Sequence, residues 1–196
     1  MEKKLSILEK IIKYNFKKKS ILEKALTHKS YNNNINNEKL EFLGDRVLGL
    51  IISERLLEKF PEDKDGSIDK KSANSVNTRT CSLIAKKINL KKFIFLGASH
   101  KKLERSSDKI ISDCLEAIVG GIYLDGGLKS AEKFIFFFWE EYLLKSNVTL
   151  IDSKTKLQEF SLKKFKILPK YFFFKKTGPQ HRPIFKTEVQ IPNSKK

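Results

Sequence analysis

Residues 38–59 read EKLEFLGDRVLGLIISERLLEK, and this stretch decides the fold. Its apolar residues recur every three to four positions, the period of an α-helix, and Pro61 lies just beyond its end. With Glu38 set at 0° and about 100° per residue, Glu41 falls near 300° and Asp45 near 340°, on one stripe. Leu43, Val47, Leu50 and Ile51 occupy the opposite side, while Phe42, Leu48 and Ile52 flank the acids. A helix that is apolar nearly all round belongs in an interior. Three carboxylates on one stripe of such a helix repel one another and lose hydration, so positive charge must sit among them.

Residues 107–124 repeat the pattern. Counted from Asp113 in the same way, Glu116 lies at about 300°, Gly120 at about 340° and Ala117 at about 40°. These small neighbours allow a second helix to approach closely. Facing the two stripes assembles Glu41, Asp45, Asp113 and Glu116 into a four-carboxylate cluster. Neither stripe carries Cys or His, which serves zinc poorly. Hard oxygen ligands suit Mg2+ or Mn2+, which keep several waters and readily take phosphate oxygens. Clusters of this kind support metal-assisted phosphodiester hydrolysis. Solvation or pairing with lysines is the ordinary fate of one i, i+3 acid pair; two sets, each in an apolar helix beside glycines, favour a metal site.

Composition points the same way. The 196 residues carry 40 Lys and Arg against 23 Asp and Glu, a formal charge of +17, and 40% are hydrophobic. That apolar content excludes a disordered polycation. Two cysteines, Cys81 and Cys114, exclude a disulfide scaffold and read as small core residues. No apolar run approaches the ~18 residues of a membrane span, and the N-terminus lacks a signal-peptide core. The expectation is a cytoplasmic protein with no membrane or small-molecule cofactor and a polyanionic partner, nucleic acid first.

The excess charge is concentrated in the tail. Residues 151–196 hold 12 Lys and Arg against 3 Asp and Glu. A polar break near Ser146–Lys154 suggests a linker over 149–154, between a domain over 1–148 and a tail domain over 152–196. Leu5, Leu8, Ile11 and Ile12 mark a first helix; Ile21, Leu22, Ala25 and Leu26 mark a second, with Ser20 as its N-cap. Further helices are expected over Asn74–Ile88 and Lys129–Leu144, the last after a Gly126-Gly127 turn. The asparagine-rich Tyr31–Asn37 reads as a loop. In the tail, a helix lined by Lys154, Lys156, Lys163, Lys164 and Lys166 precedes two strands, Tyr171–Lys175 and Ile184–Ile191, around Gly178-Pro179. His28 reads as turn or core packing, His100 as surface, and Phe134–Trp139 as core or interface.

Several of these segments resemble the bacterial ribonuclease III family. NEKLEFLGDRVL at 37–48 is similar to its signature motif, and DCLEAIVGGIYLDGG at 113–127 to its second acidic motif. ALTHKSY at 25–31 resembles its N-terminal block, and DSKTKLQE at 152–159 the start of its double-stranded-RNA-binding domain. The resemblance implies an all-α endonuclease domain followed by a partial α/β RNA-binding domain of one helix and two strands. It implies a homodimer that cuts double-stranded RNA, in rRNA and mRNA precursors, to 5′-phosphate and 3′-hydroxyl ends. Glu38 would assist the dimer interface, and Glu41 and Asp113 would ligate metal. Asp45 would be catalytic, and Glu116 both ligand and catalytic. An accessory acid in the loop after the signature helix falls on Asp65, with Glu62 and Asp63 competing.

In the tail, the resemblance places RNA contacts at Thr155, Gln158 and His181, with Leu162 replacing a later glutamine. The chain stops at Lys196, before the third strand and closing helix of the family's domain. A truncated sheet with an unpaired edge and exposed Phe172, Phe173 and Phe174 is therefore expected. Two rival readings stand beside the enzyme: a duplex-RNA binder that does not cut, and a nuclease-domain enzyme for ribosomal precursors that uses the tail little.

Overall fold

The acid-bearing stretch forms one 22-residue helix, α3 (Glu38–Lys59), at the centre of a helical bundle. The computed structural model describes residues 2–98, 107–145, 153–178 and 184–191. The chain divides into two units, Met1–Thr149 and Leu150–Lys196. In the first, α1 (Glu2–Ile12) and α2 (Lys19–Ala25) precede α3, and α4 (Asp65–Val76) and α5 (Thr78–Lys87) follow it. A 3-10 turn at Leu90–Lys92 leads on to α6 (Ser107–Gly126) and α7 (Leu128–Lys145). None of the described helices is long and apolar enough to cross a membrane.

The core forms where α3 meets α6. Leu48, Ile51, Ile52 and Leu56 of α3 are fully buried, as are Leu115, Ile118, Val119 and Ile122 of α6. Each such side chain contributes about 1.5–3 kcal/mol on leaving water. The two helices cross almost backbone to backbone. A β-carbon on Gly120 would lie 2.2 Å from the Leu40 carbonyl oxygen, so glycine is required there for steric reasons. Around this pair, the Trp139 indole of α7 donates to the Ser75 carbonyl of α4 over 3.0 Å. A parallel bridge between Thr27 and Phe95 ties the segment after α2 to the segment after the 3-10 turn. Of the Phe134–Trp139 run, Phe134, Ile135 and Trp139 are buried and Phe137 is exposed.

Two local expectations are corrected. The helix expected over Asn74–Ile88 is two helices, broken at Asn77. That residue is extended, at φ −70° and ψ 160°, and its side chain accepts from the Thr80 amide over 2.9 Å. An asparagine that caps α5 cannot also continue α4. Ser20 does not cap α2; it lies inside the first turn, and Lys18 stands at the cap without a side-chain bond.

In the second unit, α8 (Ser153–Phe165) leads into an antiparallel hairpin of β1 (Lys170–Thr177) and β2 (Ile184–Gln190). The register runs from Lys170 opposite Gln190 to Thr177 opposite Ile184, with an irregularity between Phe173 and Lys175. The buried Ser161 hydroxyl donates to the Ile167 carbonyl over 2.6 Å, closing the turn after α8. Every residue of β2 is exposed, and Phe172 is too. The side chains of Phe173 and Phe174 lie outside the described residues. So do residues 149–152 of the expected linker, while Ser153 and Lys154 already belong to α8.

Candidate active site

The α3–α6 crossing places both acid stripes on one cavity of about 530 Å3. From α3 come Glu38, Glu41 and Asp45; from α6 come Asp113 and Glu116, with Lys109 at the edge. One carboxylate oxygen from each of Glu41, Asp113 and Glu116 lies within 4.8 Å of the other two, and all three residues are half-buried. Asp45 lines the same cavity, but its Oδ2 accepts from the Arg46 guanidinium and is not among the converging oxygens. Glu38 is held at the rim by the Lys29 ammonium, 2.9 Å away.

Glu116 and Glu41 feel the setting of the cavity directly. Burial first, then the charges of Asp113, Asp45 and Glu41, push the Glu116 carboxyl up to about 7. The Ser112 hydroxyl, 3.3 Å from Glu116 Oε1, opposes that shift. Glu41 is also raised, by burial and then by Asp113, against the pull of Lys109. Both carboxyls are lifted first by burial and then by neighbouring carboxylates, a setting in which a bound cation would favour their ionised forms. Behind them, burial and then Glu116 raise the Cys81 thiol, which is fully buried and stays protonated. The donor set is therefore hard oxygen from carboxylates, which fits a divalent cation such as Mg2+ or Mn2+.

Comparison with known proteins extends this picture. A family model described as Ribonuclease-III-like matches residues 18–143. The chain belongs to the ribonuclease III family. It is 53% identical over 189 residues to Ribonuclease 3 of Pelagibacter ubique, an alignment covering 96% of this chain and 85% of that one. Ribonuclease 3 of Ehrlichia ruminantium is 43% identical, with 94% and 83% covered. Among solved structures, the nuclease domain of ribonuclease III from Campylobacter jejuni superposes with a TM-score of 0.65 at 39% identity. That match covers 69% of this chain and 96% of the other, which is described for structural flexibility in a region involved in dimer formation. As a ribonuclease III-family enzyme, this chain is an endoribonuclease, a hydrolase that cuts within RNA strands.

The other residues singled out in the sequence lie elsewhere. Asp65 is not in a loop; it opens α4 and does not line the ribonuclease III cavity. Asp63 is taken up by the Lys71 ammonium at 2.7 Å and the Ser67 hydroxyl at 2.9 Å, which hold its carboxyl below the usual range. Thr155 and Gln158 are partly buried on α8, in the second unit. His100 and His181 lie outside the described residues.

Sequence reasoning missed the cationic rim. His28 lines the cavity, with Nδ1 2.8 Å from the Ser30 hydroxyl, as do Lys29, Arg46 and Lys109. Lys109 and Asp113 are four apart on one helix, and that spacing could have flagged the pair.

Proposed function

We propose that this ribonuclease III-family enzyme cleaves double-stranded RNA at the α3–α6 cavity with the help of a divalent cation. Mg2+ is the physiological ion in this reading and Mn2+ a substitute. The products carry 5′-phosphate and 3′-hydroxyl ends, and the substrates are structured rRNA and mRNA precursors in the cytoplasm. The observation that carries the proposal is the convergence of Glu41, Asp113 and Glu116 oxygens within 4.8 Å.

In this reading Glu41, Asp113 and Glu116 hold the cation, and Asp45 stands beside them as a further ligand and catalytic acid. A bound divalent ion supplies Lewis acidity toward a phosphoryl oxygen and lowers the pKa of water. The protein's own contribution is positional. The tight helix crossing fixes the carboxylates, and the half-buried setting limits water around them. Glu116, with its carboxyl raised to about 7, must give up its proton before it can act as an anionic ligand. The basic rim then draws the RNA strand over the acids.

The surface of α3 supports a homodimer. Phe42, Leu50 and Leu57 are 65%, 58% and 61% exposed. Their spacing puts them on one side of the helix, with Arg46 set between Phe42 and Leu50, a largely apolar stripe suited to a second copy. Residues 1–148 then form the endonuclease domain, and the RNA-binding part runs from the start of α8 at Ser153 to residue 196. Thr155 and Gln158 on α8, and His181, would reach ribose hydroxyls in the minor groove.

The test is a labelled RNA duplex incubated with the enzyme in Mg2+, in EDTA, and beside a single strand of the same sequence. Cleavage of the duplex alone, dependent on Mg2+ and leaving the stated ends, supports the proposal. Cleavage in EDTA, or equal cutting of the single strand, overturns it.

A further inference from the structure

Lys109 stands between the converging acids and solvent. Its ammonium lies 2.9 and 3.0 Å from the two Asp113 carboxylate oxygens, one helical turn away on α6. The lysine side chain is 73% exposed, whereas that of Asp113 is 17% exposed. Two further rim cations, Lys29 and Arg46, are engaged by Glu38 and Asp45, neither of which belongs to the converging trio. Among these three rim cations, Lys109 is the one that bonds a carboxylate of the trio, and it covers both oxygens.

An ammonium and a divalent ion cannot both take the same carboxylate oxygens at close range. A unit charge this near also repels an incoming cation, and the half-open setting screens that repulsion only in part. The lysine end of the pair is open to solvent, where water competes for the ammonium, so the bond can be given up. Lysine suits exchange because its charge is a point on a flexible stem, not a rigid fork committed to one carboxylate. Released from Asp113, the ammonium still stands at the mouth of the cavity, where a phosphate of an entering strand must pass.

We propose that Lys109 is an exchangeable counter-cation: it neutralises Asp113 in the metal-free enzyme, yields it to the divalent ion, and then binds a phosphate of the RNA strand in the cavity. This rests on the divalent-site reading of the acids above. The two halves have opposite signatures. Removing the lysine should tighten metal binding and weaken RNA binding, a combination that general damage to the fold would not give.

The experiment uses the full chain in four forms: wild type, Lys109→Ala, Lys109→Arg and Asp113→Asn. Mn2+ binding is followed by calorimetric titration without RNA, and steady-state duplex cleavage at saturating Mg2+ gives KM and kcat. Lys109→Ala is expected to bind Mn2+ about fivefold more tightly. Its KM for duplex RNA should rise several-fold, and the salt dependence of KM should fall by about one released ion. Lys109→Arg keeps the charge and should bind Mn2+ as wild type does. Unchanged or weaker Mn2+ binding in Lys109→Ala, or an unchanged KM, overturns the role given to Lys109. Asp113→Asn separates the two levels. If it lowers Mn2+ affinity while Lys109→Ala leaves it unchanged, only the counter-cation idea fails; if it leaves Mn2+ affinity intact, the divalent-site reading fails with it.

Discussion

A β-carbon on Gly44 would stand 1.7 Å from the carbonyl oxygen of Glu116, so α3 and α6 touch through their backbones beside the acids. The neighbour is main chain and cannot swing aside. Gly44→Ala should therefore force the helices apart, destabilise the protein by about 3 kcal/mol, and separate the carboxylates. Gly49, on the same helix, has nothing within 4 Å of its would-be β-carbon, and Gly49→Ala is the control. It should be neutral or stabilising, since alanine favours a helix. Urea unfolding of both variants measures the contrast. Equal stability would contradict the crossing described.

Glu116 gives a pH dependence with a definite sign. Its carboxyl titrates near 7 in the folded, metal-free protein, against an ordinary 4.5. Between those values the folded state keeps a proton that the unfolded chain releases. The contribution to stability is thus complete below about 4.5 and is lost as pH rises toward 7. Calorimetry in EDTA should show Tm falling more steeply across that window for wild type than for Glu116→Gln. Adding Mg2+ at pH 7.5 should raise the wild-type Tm. Identical pH profiles for the two proteins would remove the basis for this account of Glu116.

The apolar stripe of Phe42, Leu50 and Leu57 predicts association. Sedimentation at micromolar concentration should give twice the 22.7 kDa chain mass. Leu50→Glu with Leu57→Glu should yield folded monomers, because two charges buried in an interface without partners oppose association. A monomeric wild type would exclude the homodimer.

Much of this was legible in the sequence, for a physical reason. A carboxylate inside an apolar helix is costly unless it is used, so Glu41 and Asp45 on α3, and Asp113 and Glu116 on α6, stand out against their neighbours. Glycine and alanine beside them announce a close crossing. The break at Asn77 was not legible, because apolar periodicity continues through it and only its capping bond to Thr80 reveals the stop. Nor could the sequence separate Asp45 from the converging trio. That depends on its bond to Arg46, a neighbour whose exposed side chain could have turned elsewhere.

The second unit should exchange its amides faster than the bundle core. All of β2 is exposed, whereas α3 and α6 carry fully buried leucines and isoleucines along their length. Hydrogen exchange resolved to peptides should find 170–190 exchanging well before 44–56 and 114–122. Equal protection would mean that the hairpin has cover these contacts do not provide.

Single-turnover cleavage of a duplex RNA by Asp45→Asn and Glu116→Gln addresses the carboxylates directly. Both variants should lose about a thousandfold or more in rate, roughly 4 kcal/mol of barrier, while keeping wild-type helix content and duplex affinity. A rate within about tenfold of wild type in either variant would contradict the assignment of that acid to the chemistry.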